Sequence, residues 1–217
     1  MAVKLKSAFK RVSRPVIFAC LLFIIWWLQF NFVAVIVFLL GNFLLYIYPL
    51  INSLSFISSF LVLITISFIS LFLLSSSPWY VSAAILVLTI LYYLALELKN
   101  MYLIDKKKFY YLLNLSQFYI LLGIFFIKAD SYFSFKIIAL MIAVFFLFRE
   151  FLKINTNNIS FENNVLAAVI TLLLGQLAWI TSWLSISFIM ATNLLFLFVY
   201  IIETYLELRN SHKRRLR

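Results

Sequence analysis

Cysteine, histidine and glycine are scarce in this chain. The single cysteine, Cys20, cannot close an internal disulfide, and the single histidine, His212, stands in the C-terminal tail, so a Cys/His metal centre lacks ligands. There are only 3 glycines and 3 prolines, few for the interrupted helices that secondary transporters use at their binding sites. No catalytic, nucleotide, cofactor or metal motif occurs, and the acids Glu97, Asp105, Glu150 and Glu162 are scattered, without the paired arrangement that phosphate or metal chemistry needs. The most consequential absence is charge. From Pro15 to Leu96 there is no Asp, Glu, Lys, Arg or His, a run several times the ~20 apolar residues that cross a bilayer once.

What fills that space is apolar. Hydrophobic side chains make up 66% of the 217 residues and the mean hydropathy is +1.10, against an apolar content of about 45–50% in soluble domains. A water-soluble core is excluded, and an all-α polytopic membrane bundle is expected. The net charge of +11 would point to nucleic acid in a soluble protein, but here the bases cluster in short segments between apolar runs. That pattern marks the cytoplasmic face of a membrane, with anionic lipid headgroups as the partner, and leaves nucleic acid uncalled for.

Turn signals at Gln29 to Asn31, Pro49 to Ser53 and Ser75-Ser76-Ser77-Pro78 divide the uncharged block into four spans, about Pro15–Gln29, Phe32–Leu50, Leu54–Leu74 and Trp79–Leu98. The first two are either full crossings or a re-entrant hairpin, and both return the chain to its starting side. A basic segment follows in which Asp105 can cap the next helix. Phe109–Ile127, a turn at Lys128-Ala129-Asp130, Tyr132–Phe151, Val165–Ile180 and, after Thr181-Ser182, Trp183–Tyr205 complete eight spans. The organisation is then residues 1–14, a basic cytoplasmic arm or interfacial helix; 15–98, spans one to four; 99–108, a cytoplasmic basic loop; 109–208, spans five to eight; and 209–217, a basic cytoplasmic tail.

With both termini cytoplasmic, every Lys and Arg except Lys128 and Lys136 lies inside. An odd number of spans in the first block would put Lys106 to Lys108 outside, so the charge rule selects an even one. Tryptophans 26, 27, 79, 179 and 183 fall at outer ends and tyrosines 46, 48, 110, 111 and 205 at inner ends, as interfacial belts should. An N-terminal signal sequence is set aside because no small-residue cleavage site follows the first apolar run. Ile17-Phe18-Ala19-Cys20 is a poor lipoprotein box, with Phe18 where a small or β-branched residue is usual.

The candidate intramembrane polar sites are Asn42, Gln176, Asn193 and Glu203, with Gln117 beside them. Asn42 and Gln176 are expected to hydrogen-bond between helices. Glu203 is expected to reach the inner interface or an ion pair, because Arg209 follows within about 9 Å of helix rise. Asn52, Ser55, Ser59, Ser67 and Ser70 share a helical face suited to close packing. Asn114-Leu115-Ser116 and Asn158-Ile159-Ser160 match a glycosylation pattern in the wrong compartment. The stretches Leu96-Glu97-Leu98-Lys99-Asn100 and Leu206-Glu207-Leu208-Arg209-Asn210 echo one another, and are expected to end the fourth and eighth spans with Glu97, Lys99, Glu207 and Arg209 as inner-interface ion pairs.

Glu97-Leu98-Lys99-Asn100 followed by Tyr102-Leu103-Ile104 resembles small, uncharacterised multi-spanning proteins of bacteria with reduced genomes. The resemblance implies an inner-membrane protein and transfers no site residue. The pattern as a whole points away from an enzyme and toward a non-catalytic scaffold or subunit of a membrane complex, joined to a membrane-protein partner or to copies of itself. A small transporter or lipid carrier is the alternative, and a membrane enzyme acting on a lipid-linked substrate the second.

Overall fold

The computed structural model describes residues 2–47, 56–75, 77–99, 106–127, 133–156 and 161–215. Among these lie eight helices and no strand: α1 (Ala2–Trp27), α2 (Phe32–Ile47), α3 (Ile57–Leu74), α4 (Pro78–Lys99), α5 (Lys106–Phe126), α6 (Phe133–Thr156), α7 (Phe161–Trp183) and α8 (Phe188–Arg215). Five of them, α3, α4, α5, α7 and α8, are long and apolar enough to cross a membrane. The chain is a helical membrane protein. The apolar stretches of α1 and α2, Ser13–Trp27 and Phe32–Ile47, are shorter, and in α6 the uncharged run is confined to 137–148 between Lys136 and Arg149.

Several boundaries differ from the sequence expectation for identifiable reasons. The basic arm is helical and continuous with the apolar part of α1, which runs from Ala2 through Pro15 to Trp27. The break expected at Thr181-Ser182 lies later, at residues 184–187, because both hydroxyls turn back on their own helix. Thr181 Oγ1 donates to the Leu177 carbonyl at 2.6 Å and Ser182 Oγ to that of Trp179 at 2.6 Å, so neither competes with α7. Ser187 instead starts α8, accepting from the Met190 amide at 3.3 Å. At the other end α8 runs on to Arg215, so Leu206 to Asn210 lies inside a helix while its echo, Leu96 to Lys99, closes one. The turns at 49–53 and 128–130, the Asp105 cap, Asn52, Ser55, Tyr48, Asn158 and residues 100–104 fall outside the described residues.

The chain divides into two compact units, Met1–Leu113 and Asn114–Arg217. In the first, α4 packs on α1 and α3, and α1 also on α2. Aromatic rings tie these helices together. Phe18 of α1 stacks on Tyr92 of α4 with centroids 4.1 Å apart, and Tyr46 of α2 stacks on Phe60 of α3 at 3.9 Å. Phe60 in turn meets Tyr92 at 6.2 Å, closing the chain of rings. Of the tyrosines expected in an inner interfacial belt, Tyr46 and Tyr110 are buried, whereas Tyr205 and the tryptophans Trp27 and Trp79 are exposed.

Serines on α3 make room for this packing. Ser59, Ser67 and Ser70 are buried, and Ser67 Oγ donates to the Leu63 carbonyl at 2.7 Å. In the second unit α7 turns a small-residue face inward, with Ala167, Thr171, Gly175, Ala178 and Thr181 buried, and packs closely on α6. At Gly175 a Cβ would stand 3.1 Å from Met141 Cγ and Sδ, so the absent side chain sets how near α6 and α7 come.

Replacing a buried serine should therefore hurt where replacing an exposed neighbour does not. Ser67→Phe is expected to cost about 1–3 kcal/mol, read as a lower melting temperature in detergent, while Leu61→Phe, on the exposed side of the same helix, should stay within about 0.5 kcal/mol. Equal effects would remove the packing role of the serine face.

Candidate buried acid-amide site

Glu203 is fully buried in α8. Its Oε1 accepts a hydrogen bond of 2.6 Å from Asn114 Nδ2 on α5, itself fully buried. The two helices run antiparallel here, and further contacts keep the same register, with Phe196 against Tyr119 at 5.2 Å and Thr192 Cγ2 4.0 Å from where a Cβ on Gly123 would stand. Two acceptor oxygens of the pair, Glu203 Oε2 and Asn114 Oδ1, have no hydrogen-bond partner among the described residues. Glu203, expected at the inner interface or in an ion pair, is buried against this amide, while Arg209 is exposed.

In the sequence Asn114 stands out only as part of a glycosylation match in the wrong compartment. A signal for it exists: Tyr110, Asn114 and Gln117 recur at i, i+4 and i+7 along α5, all buried, a polar face in a helix that must satisfy its polar groups internally. The pairing joins residues 89 apart and no local pattern encodes it.

The other candidates behave differently from one another. Asn42 is buried, but its Nδ2 donates to the Phe38 carbonyl of its own helix at 2.7 Å, not to a neighbouring one. Gln176 and Asn193 are exposed. Glu207 and Arg209 are also exposed, while Glu97 and Lys99 are buried, so the echoed stretches hold unlike environments.

Lys99 is the second built feature. Its Nζ donates to the carbonyls of Tyr46 and Ile47, the latter at 3.2 Å, and lies 4.5 Å from the centroid of the Tyr46 ring. The ammonium sits on the last carbonyls of α2, where the helix leaves unsatisfied acceptors and partial negative charge, and adds a cation-π contact. Lys136 does the same in the second unit, donating to the Ile127 carbonyl just past the end of α5 at 3.2 Å. None of the glycines has a positive φ, so the glycine C-cap is not used and lysine side chains reach these ends instead.

The site is thus a carboxyl and a carboxamide facing each other inside a helical membrane protein, with one hydrogen bond made and two acceptors in hand. Among the described residues no group of three or more His, Cys, Asp or Glu lies together. Comparison with family models, with curated proteins and with solved structures finds no match.

Removing the acceptor should be felt by the amide. Glu203→Leu leaves the Asn114 N–H buried without a partner and is expected to cost about 1–3 kcal/mol. Glu203→Gln, nearly the same shape and still an acceptor, should stay within about 1 kcal/mol. Thermal unfolding of the purified variants in detergent measures both, and a Leu variant as stable as the Gln variant would deny the bond any structural weight.

Proposed function

We propose that this is an inner-membrane protein of eight spans with both termini cytoplasmic, serving as a non-catalytic subunit of an assembly formed with a second copy of the chain. The distribution of Lys and Arg supports the orientation, and the basic tail and central loop are suited to anionic headgroups. The similarity of the stretch from Glu97 to Ile104 to small inner-membrane proteins supports the location.

One observation carries the association. Along α7, Val165, Val169, Leu172, Gln176, Trp179 and Trp183 are all exposed, in alternating steps of four and three residues. That spacing forms a straight seam on one side of a helix, of the kind left-handed helix pairs bury. The opposite face of α7 already packs inside the unit. Gln176 stands midway in the seam, and hydrocarbon cannot satisfy its amide. A carboxamide both donates and accepts, so two copies meeting at Gln176 satisfy each other and fix the register.

A small transporter is the second reading, and the buried Glu203 and Asn114 pair is the observation that favours it, because intramembrane acids often mark ion pathways.

Disulfide trapping tests the association. In a Cys20→Ser background, Gln176→Cys should cross-link to a dimer in native membranes on oxidation, whereas Leu197→Cys, exposed on α8, should not. Failure at 176, or equal trapping at both positions, would contradict the α7 seam.

A further inference from the structure

We propose that Glu203 and Asn114 form a binding site for one proton, held on Glu203 Oε2 and shared with Asn114 Oδ1. The inference is independent of the α7 seam and rests on what each oxygen lacks. Glu203 Oε2 and Asn114 Oδ1 are both buried acceptors without a donor among the described residues, although their side chains are already joined through Asn114 Nδ2 and Glu203 Oε1 at 2.6 Å. Two acceptors cannot satisfy one another. A single proton on Oε2 turns that oxygen into a donor, and the amide oxygen of the same pair becomes its acceptor. The carboxylic acid and the carboxamide then close on each other with two hydrogen bonds where an ionised pair makes one.

Charge accounting supports the same occupant. Fully buried carboxylates are paired, coordinated to a cation or neutral, and the groups at this end of the unit do not supply a counter-ion. Arg149 and Lys153 of α6, Glu162 of α7, and Glu207 and Arg209 of α8 are exposed, while Glu150 is buried and acidic. None of them hydrogen-bonds Glu203, whose one bond among the described residues goes to Asn114. Along α8 the nearest base, Arg209, is about 9 Å of rise from Glu203. The exposed Glu207 stands one helical turn beyond Glu203 toward the polar end of α8.

Infrared spectroscopy of the full chain in lipid reads the occupant directly, since the carbonyl stretch of a protonated carboxylic acid lies apart from the carboxylate and amide bands. The wild type should show such a band, shifted in heavy water, and Glu203→Gln should lose it. Asn114→Leu should move it to higher frequency, because the acid then loses both bonds to the amide. If Glu203→Gln does not fold, the shift between wild type and Asn114→Leu decides alone, and a band unmoved or missing there overturns the proposal. Superimposable spectra of wild type and a folded Glu203→Gln overturn it as well. Added sodium chloride at constant pH should leave the band intact. Its replacement by a carboxylate band would overturn the proton in favour of a sodium site.

Discussion

Hydrocarbon offers no hydrogen-bond partner, and many polar side chains of these helices answer to that constraint. Thr65, Ser67, Ser82, Thr89, Thr171, Thr181 and Thr192 each return their hydroxyl to a carbonyl one turn back on their own helix. Asn42 does so with its amide nitrogen. Lys99 and Lys136 carry the principle to helix ends, bringing a cation to carbonyls that have run out of amides. In a chain with so few glycines, these helix ends are met by lysine side chains that arrive from a later helix.

The same constraint separates two kinds of interior. In Met1–Leu113 the centre is a run of aromatic rings, Phe18, Tyr92, Phe60 and Tyr46, ending at Lys99. In Asn114–Arg217 small residues on α7 let α6 come close, and α5 meets α8 through a carboxyl and an amide. The first interior is held mainly by stacking and capping, with Asn42 Oδ1 and the Tyr92 hydroxyl buried without a hydrogen-bond partner among the described residues. In the second, two such acceptors, Asn114 Oδ1 and Glu203 Oε2, belong to one hydrogen-bonded pair, and that pair is where chemistry beyond packing can reside.

Hydropathy marked the helices because transfer from water to lipid acts on each residue separately, so α4 and α5 stand within a few residues of their expected positions. The facing of side chains was far less legible. Helices apolar on all sides carry little periodic signal, and nothing local told that Gln176 looks outward while Asn114 and Gln117 look inward. Lys99 was visible as a charge at a helix end, but the carbonyls it serves belong to a helix some fifty residues earlier. Glu203 was visible as an acid in an apolar segment, and its partner was not, because the bond depends on how α5 and α8 align.

The proposed topology requires an even number of crossings in each half of the chain, with charge deciding the side. Reporter fusions at the N-terminus, at Lys107 and at the C-terminus test it most directly. A reporter active only in the cytoplasm should work at all three positions, and one active only outside should be silent at each. Activity of the outside reporter at Lys107 would contradict the four-span division of the first half and with it the eight-span topology.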